Sequence, residues 1–103
     1  MKHRLGKADL APGAMRRYPL PSGRDLLVAN LGGAYFALDD WCNHAGCSLV
    51  AGVLKGTEVT CSCHAMVFDV RTGKLVTEPR LCEDQKRFAV EVEAGELSVE
   101  LDP

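Results

Sequence analysis

Long apolar runs are absent from this chain of 103 residues. No stretch approaches the roughly 18 to 20 apolar residues that a membrane-spanning helix requires, and residues 1–7 lack the apolar core of a secretory signal. A dense basic patch interleaved with aromatics, which nucleic-acid binding favours, is also missing, and aromatic residues make up only 6% of the chain. We therefore expect a cytoplasmic protein that binds neither membranes nor nucleic acid.

A pattern typical of a long helix is missing as well. Short apolar stretches with a period near two alternate with turn residues, which is typical of an all-β sandwich or barrel. Residues 25–30 and 34–38 flank Leu31-Gly32-Gly33, which predicts a hairpin because glycine adopts positive φ without strain. Residues 1–103 are enough for one domain, without a linker or an internal repeat.

Two more hairpins are predicted towards the C-terminus. Residues 67–70 and 74–76 flank a turn at Arg71-Thr72-Gly73. Apolar residues also alternate with polar ones in 88–92 and 97–101, on either side of Ala94-Gly95, and we expect both apolar faces to point inward.

Five cysteines in a chain expected to be cytoplasmic require an explanation, because disulfide scaffolds belong mostly to secreted proteins. Cys42 and His44 form one short Cys-x-His box. After sixteen intervening residues, Cys61 and His64 form a Cys-x-x-His box. Two loops that each present one thiolate and one imidazole could enclose a metal centre from both sides.

This pair of boxes resembles the pattern of Rieske iron–sulfur proteins, and the likeness continues through Phe68-Asp69 and Arg71-Thr72-Gly73. The resemblance implies one [2Fe-2S] cluster per chain. Cys42 and Cys61 would bind one iron, and His44 and His64 the other. The implied fold is an antiparallel β-sandwich with a small inserted cluster-binding subdomain at about residues 40–66.

The remaining cysteines extend the resemblance. Cys47 and Cys63, one in each box, match a branch of the family in which such a pair forms a disulfide. The alternative is two free buried thiols, since a cytoplasmic setting disfavours disulfides. Cys82 has no obvious partner and is expected to be a free thiol or apolar filler.

The branch with this disulfide has high reduction potentials, and the chain departs from it at two positions. Where that branch carries a serine and a tyrosine that donate hydrogen bonds to sulfur, this chain has Met66 and Phe68. Such bonds stabilise the negative charge of the reduced cluster. We therefore expect a low or intermediate reduction potential.

Several readings remain open. The four ligands would also suit a structural zinc site. Trp41, Met66 and Phe68 would either cover the cluster or simply form core.

Residues 45–54 and 61–68 contain no Asp, Glu, Lys or Arg, so they form either a docking rim for a redox partner or a buried surface. Glu78-Pro79-Arg80 is a candidate third loop near the cluster.

The implied function is electron transfer by a monomeric ferredoxin, from a reductase to a terminal oxygenase. Neither a nucleophile, a general base nor an open metal position is evident, so no catalytic residue is assigned. An alternative is a non-catalytic subunit of a larger oxidoreductase, such as a nitrite reductase or an arsenite oxidase. A third is a sensor in which Cys47 and Cys63 switch between thiol and disulfide.

Overall fold

Short β-strands form the regular secondary structure of this protein. A computed structural model describes residues 2–21, 23–41, 48–61, 66–77 and 85–100. In chain order its strands are β1 (Lys2–Lys7), β2 (Met15–Pro19), β3 (Asp25–Leu31), β4 (Ala34–Asp39), β5 (Val53–Lys55), β6 (Glu58–Thr60), β7 (Val67–Asp69), β8 (Arg87–Phe88), β9 (Val90–Glu93) and β10 (Glu96–Glu100). Helices long and apolar enough to cross a membrane do not occur in these ranges.

The described strands form three antiparallel sheets, which confirms the predicted all-β class. Sheet A has the order β1-β10-β9, sheet B the order β2-β3-β4-β8, and sheet C the order β5-β6-β7. Sheet C includes β7 and so extends past residue 66. Along the chain, the first box lies between β4 and β5, and the second lies between β6 and β7.

Strand β3 is buried on both faces because its residues alternate between two cores. Leu26 and Val28 lie in a core with residues of sheet A, which we call the A–B core. Leu27 and Ala29 lie in a second core with residues of sheet C, the B–C core. The B–C core comprises Leu27, Ala29, Leu49, Val59, Cys61, Met66, Phe68, Val70 and Leu75.

The predicted hairpin between β3 and β4 is confirmed. Leu31 pairs with Ala34, and the two residues between them are Gly32 and Gly33 with φ of 65° and 102°. Positive φ at both central positions is what a tight two-residue hairpin requires.

The predicted strand 88–92 divides between two sheets. Phe88 in β8 pairs with β4 of sheet B, whereas β9 pairs with β10 of sheet A. Phe88 and Leu97 are buried, but Val92 is 50% exposed because β9 is an edge strand. The expectation that every apolar residue of this pair points inward was therefore wrong at Val92, and Leu101 lies outside the described residues.

The hairpin predicted over residues 67–76 is present, but its second arm is shorter than predicted. Its first arm is β7, and its second arm contacts β7 through one bridge between Phe68 and Leu75. The amide of Val76 also donates to the carbonyl of Val67 at 2.8 Å. The short second arm brings Thr77 back alongside the beginning of β7.

Candidate metal centre

The first box lies between two residues that the structure pairs directly. Trp41 and Ser48 form an isolated antiparallel bridge, which closes the base of segment 42–47. Cys42, His44 and Cys47 are in that segment and lie outside the described residues. The structure therefore fixes the two ends of the first box.

A buried carboxylate holds these ends together. Asp40, whose side chain is 2% exposed, accepts hydrogen bonds at Oδ2 from Ser48 Oγ at 2.7 Å and at Oδ1 from the Val50 amide at 2.9 Å. The carbonyl of Asp40 accepts from the Leu49 amide at 2.7 Å. Arg17 Nε donates to Asp40 Oδ2 at 3.2 Å, and its Nη2 donates to Ser48 Oγ at 2.7 Å.

The second box has a similar closure at its base. The amide of Cys61 donates to the carbonyl of Met66 at 2.7 Å, so the chain returns on itself across segment 62–65. Cys63 and His64 belong to that segment and lie outside the described residues. Cys61 is buried, with 1% of its surface exposed.

The third candidate loop has its ends beside both boxes. Segment 78–84, which contains Glu78-Pro79-Arg80 and Cys82, lies outside the described residues. Just before it, Thr77 Oγ1 accepts from the Val67 amide at 3.1 Å, next to the second box. Just after it, Gln85 Nε2 donates to the carbonyls of Asp39 and Trp41 at 2.8 and 2.7 Å, next to the first box.

The flanks of both boxes meet in the B–C core. Leu49, which follows the first box, is 0% exposed and shares this core with Cys61 and Met66. The described ends of segments 42–47, 62–65 and 78–84 are thus joined by hydrogen bonds and a common apolar core. We call this part of the molecule the cluster end.

The three large apolar residues near the boxes separate into two kinds. Met66 and Phe68 are 6% and 0% exposed and belong to the B–C core, which agrees with the interpretation that they form core. Neither side chain can donate a hydrogen bond to a sulfur. Trp41 is instead 51% exposed, so it belongs to the surface beside the first box.

An ion pair fixes the turn that follows β7. Arg71 donates to the Asp69 carboxylate through Nε at 3.2 Å and Nη2 at 3.0 Å, and its amide donates at 2.9 Å. The side-chain hydrogen bond from Arg71 is the main reason that the pKa of Asp69 lies below its usual value, although desolvation opposes it. Asp69 and Arg71 thus act as a structural pair at the end of sheet C.

Sequence reasoning missed three residues of the cluster end. Arg17 and Gln85 carry no local signal, since they are distant in sequence from the residues that they contact. Asp40 has a weak signal, because it is an acid directly before the uncharged stretch that contains the first box. All three act on the ends of the boxes.

The described part of the cluster end fits an iron–sulfur centre. Of the four proposed ligands only Cys61 is described, and no group of three or more His, Cys, Asp or Glu side chains in the described ranges could hold a metal ion. The buried Cys61 can ligate iron as a thiolate, and two thiolates with two imidazoles suit a Rieske-type [2Fe-2S] cluster.

Comparisons with known proteins agree with this chemistry. The family model described as "Rieske [2Fe-2S] domain" matches residues 5–92. The ferredoxin component of biphenyl 2,3-dioxygenase from Rhodococcus jostii (strain RHA1) is 39% identical over 91% of this chain and 86% of its own length. The ferredoxin component of the p-cumate 2,3-dioxygenase system from Pseudomonas putida is 42% identical over 90% of this chain and 79% of its own length.

Solved structures give the same result for the fold. A chain from the complex of reduced oxygenase and oxidized ferredoxin in carbazole 1,9a-dioxygenase has a TM-score of 0.88 at 31% identity, covering 98% of this chain and 97% of its own. The ferredoxin of carbazole 1,9a-dioxygenase from Nocardioides aromaticivorans IC177 has a TM-score of 0.87 at 28% identity, covering 96% of each chain. With box spacing, three-sheet fold and family match in agreement, this chain belongs to the Rieske [2Fe-2S] domain family and carries one [2Fe-2S] cluster.

Proposed function

We propose that this protein is a ferredoxin that passes single electrons from a reductase to the terminal oxygenase of an aromatic-ring dioxygenase system. The observation that carries the proposal is its 39% and 42% identity, over nine-tenths of the chain, to proteins named as ferredoxin components of dioxygenase systems. When bound, the cluster supplies one-electron chemistry. The protein is an electron carrier and not itself an enzyme.

Within this proposal, Cys42 and Cys61 ligate one iron, and His44 and His64 ligate the other. Replacing two thiolates with neutral imidazoles removes negative charge from the cluster and makes reduction easier. The buried thiol of Cys61 and the closed bases of both boxes support this ligand set. Residues 1–103 form one Rieske domain, with the cluster-binding loops at about residues 40–66.

Partner binding is assigned to the cluster end. Trp41 and Val53 are 51% and 63% exposed there, in or beside the uncharged stretches, and an apolar rim of this kind suits a transient redox partner. We assign the protein to the cytoplasm as a monomer without nucleic-acid or membrane partners. Its structural likeness to a nitrite reductase small subunit from Mycobacterium tuberculosis, at 19% identity, supports the fold alone.

Cys47 and Cys63 are proposed to form a disulfide that links the two boxes. Purified holoprotein is unfolded in denaturant, its cysteine thiols are alkylated before or after chemical reduction, and mass spectrometry then tests this pairing. If Cys47 and Cys63 resist alkylation before reduction and become alkylated after it, the disulfide is supported. If both are alkylated before reduction, the disulfide is contradicted. Cys82→Ser is the control, because removing Cys82 should leave that labelling pattern unchanged.

Iron analysis and EPR of the dithionite-reduced protein test the ligand set. Mixed nitrogen and sulfur ligation gives a lower average g value than ligation by sulfur alone, and zinc gives no signal. We expect two irons per chain, loss of the cluster in Cys61→Ser, and an unchanged spectrum in Cys82→Ser. A zinc-loaded, iron-free protein would refute the assignment.

Reconstitution with a purified reductase and a terminal oxygenase tests the function. Product formation should require all three proteins and should rise with the concentration of this chain. Co-purification from native cells at fixed stoichiometry with an oxidoreductase would instead favour the subunit alternative.

A further inference from the structure

Arg17 is placed to act on the first box although it lies far from it in sequence. It belongs to β2, an edge strand of sheet B, and its guanidinium contacts residues on both sides of segment 42–47. Nε donates to Asp40, two residues before Cys42, at 3.2 Å, and Nη2 donates to Ser48 at 2.7 Å. The planar guanidinium presents several donors in a fixed geometry, which suits it to bridge two acceptors.

The carboxylate that Arg17 contacts is almost fully enclosed. The side chain of Asp40 is 2% exposed, and a buried carboxylate is costly unless it is paired and hydrogen-bonded. Ser48 Oγ and the Val50 amide supply neutral donors, while Arg17 supplies positive charge. Because the Arg17 side chain is 47% exposed, solvent screens part of the Coulombic attraction, and the bridging geometry matters more than the charge.

The remaining connection runs through the backbone. Trp41 pairs with Ser48, and the Leu49 amide donates to the Asp40 carbonyl, so residues 40–41 and 48–50 form the closed base of the box. Groups that orient metal ligands typically change metal affinity by about 10–100-fold when they are removed. A contact that fixes this base is therefore expected to influence how Cys42 and His44 hold iron, through the described backbone at both ends of their segment.

We propose that Arg17 is a positioning residue for the cluster: by bridging Asp40 and Ser48 it fixes both ends of segment 42–47 and so strengthens the hold of Cys42 and His44 on iron. This inference rests on the proposed ligand set. It assigns to β2, which carries none of the proposed ligands, an indirect influence on cluster retention through the base of the first box.

The test compares Arg17→Gln with Arg16→Gln in the holoprotein. Arg16 is the adjacent residue on the same strand and pairs with Asp9 instead, at 2.9 Å, so both variants lose one positive charge but only one loses the bridge. Bleaching of visible absorbance by excess iron chelator gives the rate of cluster loss. We expect Arg17→Gln to lose its cluster about 10–100-fold faster than wild type, and Arg16→Gln to match wild type.

Two further variants separate positioning from charge and from folding. Arg17→Lys keeps the charge but offers a single ammonium, so its cluster loss should lie between wild type and Arg17→Gln. Ser48→Ala removes the other end of the bridge and should also accelerate loss, which keeps the test available if Arg17→Gln fails to fold. The EPR g values of the reduced protein should shift in Arg17→Gln and remain unchanged in Arg16→Gln.

Equal rates of cluster loss in Arg17→Gln and Arg16→Gln would overturn the inference. The inference would also fail if Arg17→Gln loses its cluster faster but Arg17→Lys retains it as well as wild type, because charge alone would then explain the effect. Wild-type protein with two irons and the mixed-ligand EPR signal must be established first. If that signal is absent, the proposed ligand set is wrong. If it is present, the comparison of Arg17→Gln with Arg16→Gln tests the role of Arg17 separately from the ligand set.

Discussion

Asp69 and Arg71 illustrate how single residues stabilise the edge of the small sheet. Arg71 donates three hydrogen bonds to the Asp69 carboxylate, two from its guanidinium and one from its amide. The amide of Gly73 donates to the Asp69 carbonyl at 2.7 Å. The carboxylate therefore stabilises the turn while it is ionised.

This arrangement predicts a pH-dependent stability. A carboxyl with a lower pKa in the folded state stabilises the fold above its unfolded pKa of about 3.9, and that contribution is lost as the pH falls through the folded pKa. Asp69→Asn should therefore lower the free energy of unfolding at pH 7, and the difference from wild type should narrow below about pH 4. Urea unfolding followed by circular dichroism at several pH values measures this difference.

Asp9→Asn is the control, since Asp9 is an exposed carboxylate whose partner Arg16 is also largely exposed. It should change stability little at any of these pH values. A deficit of Asp69→Asn that is the same at pH 7 and pH 3 would show that the ionised carboxylate contributes nothing.

Met66 and Phe68 lead to a prediction about the reduction potential. Their side chains supply no hydrogen-bond donor next to the second box. The potential should therefore be low or intermediate within the Rieske range of about −150 to +300 mV. Phe68→Tyr should raise it by adding a hydroxyl, whereas Phe36→Tyr, which adds the same group at the margin of the same core, should not.

Protein-film voltammetry measures all three potentials. A wild-type value near the top of the range would contradict the prediction. Equal shifts in both tyrosine variants would indicate a general effect of polarity and not a hydrogen bond at the second box.

At the scale of elements, the turn after β7 depends on a glycine. Gly73 has φ of +81°, and a Cβ placed there would lie 2.2 Å from the carbonyl oxygen of Gln85. This close approach also carries a hydrogen bond from the Gln85 amide to the Gly73 carbonyl at 2.7 Å. Gln85 in turn donates to Asp39 and Trp41, so the turn supports the base of the first box.

Gly73→Ala should therefore lower the free energy of unfolding by about 3 kcal/mol or more, as the sum of backbone strain and overpacking. Gly56 is the matched control, because its φ is +63° but a Cβ there would have nothing within 4 Å. Gly56→Ala should cost about 1–2 kcal/mol, from strain alone. Chemical denaturation measures both, and equal losses would contradict the role of the contact with Gln85.

The sequence predicted those elements whose signal is local. Gly32 and Gly33 predict their hairpin because positive φ is a property of the residues themselves. Strand β1 was not predicted, because its charged sequence has no clear alternation and its pairing partner is β10, at the other end of the chain. The break between β8 and β9 was missed for a related reason, since the alternation continues while the chain passes from sheet B to sheet A.

The same distinction applies to the candidate site. The spacing of the cysteines and histidines predicted a metal centre, its resemblance to the Rieske pattern implied the ligands and the cluster, and the family match confirms the cluster. The ligand assignment itself remains a prediction. Arg17, Asp40 and Gln85 could not be predicted as a group, because their contacts join distant parts of the chain and depend on how β2, β4 and β8 are arranged in sheet B.

At the scale of the whole molecule, exposed apolar residues point to the partner surface. Trp41 and Val92 are exposed to nearly the same extent, 51% and 50%, but Trp41 adjoins the first box whereas Val92 lies on the edge strand of sheet A. Large aromatic residues often contribute a large share of binding energy at interfaces. Trp41 is thus the candidate contact with a redox partner.

Trp41→Ala should raise the concentration of this protein needed for half-maximal oxygenase activity by roughly tenfold. Val92→Ala should leave that concentration unchanged. Truncation of the Trp41 side chain keeps the backbone bridge to Ser48 and the carbonyl that accepts from Gln85, so the cluster should be retained. Steady-state assays with a purified reductase and oxygenase measure the effect, and similar values for both variants would contradict it.

The position of β3 also has a consequence for how the molecule melts. Leu26 and Val28 belong to one core, and Leu27 and Ala29 belong to the other, so neither core persists once this strand leaves its neighbours. Loss of either core therefore requires β3 to leave the other core as well. The A–B core and the B–C core should therefore unfold as one cooperative unit, and this unit includes the described residues that flank both boxes.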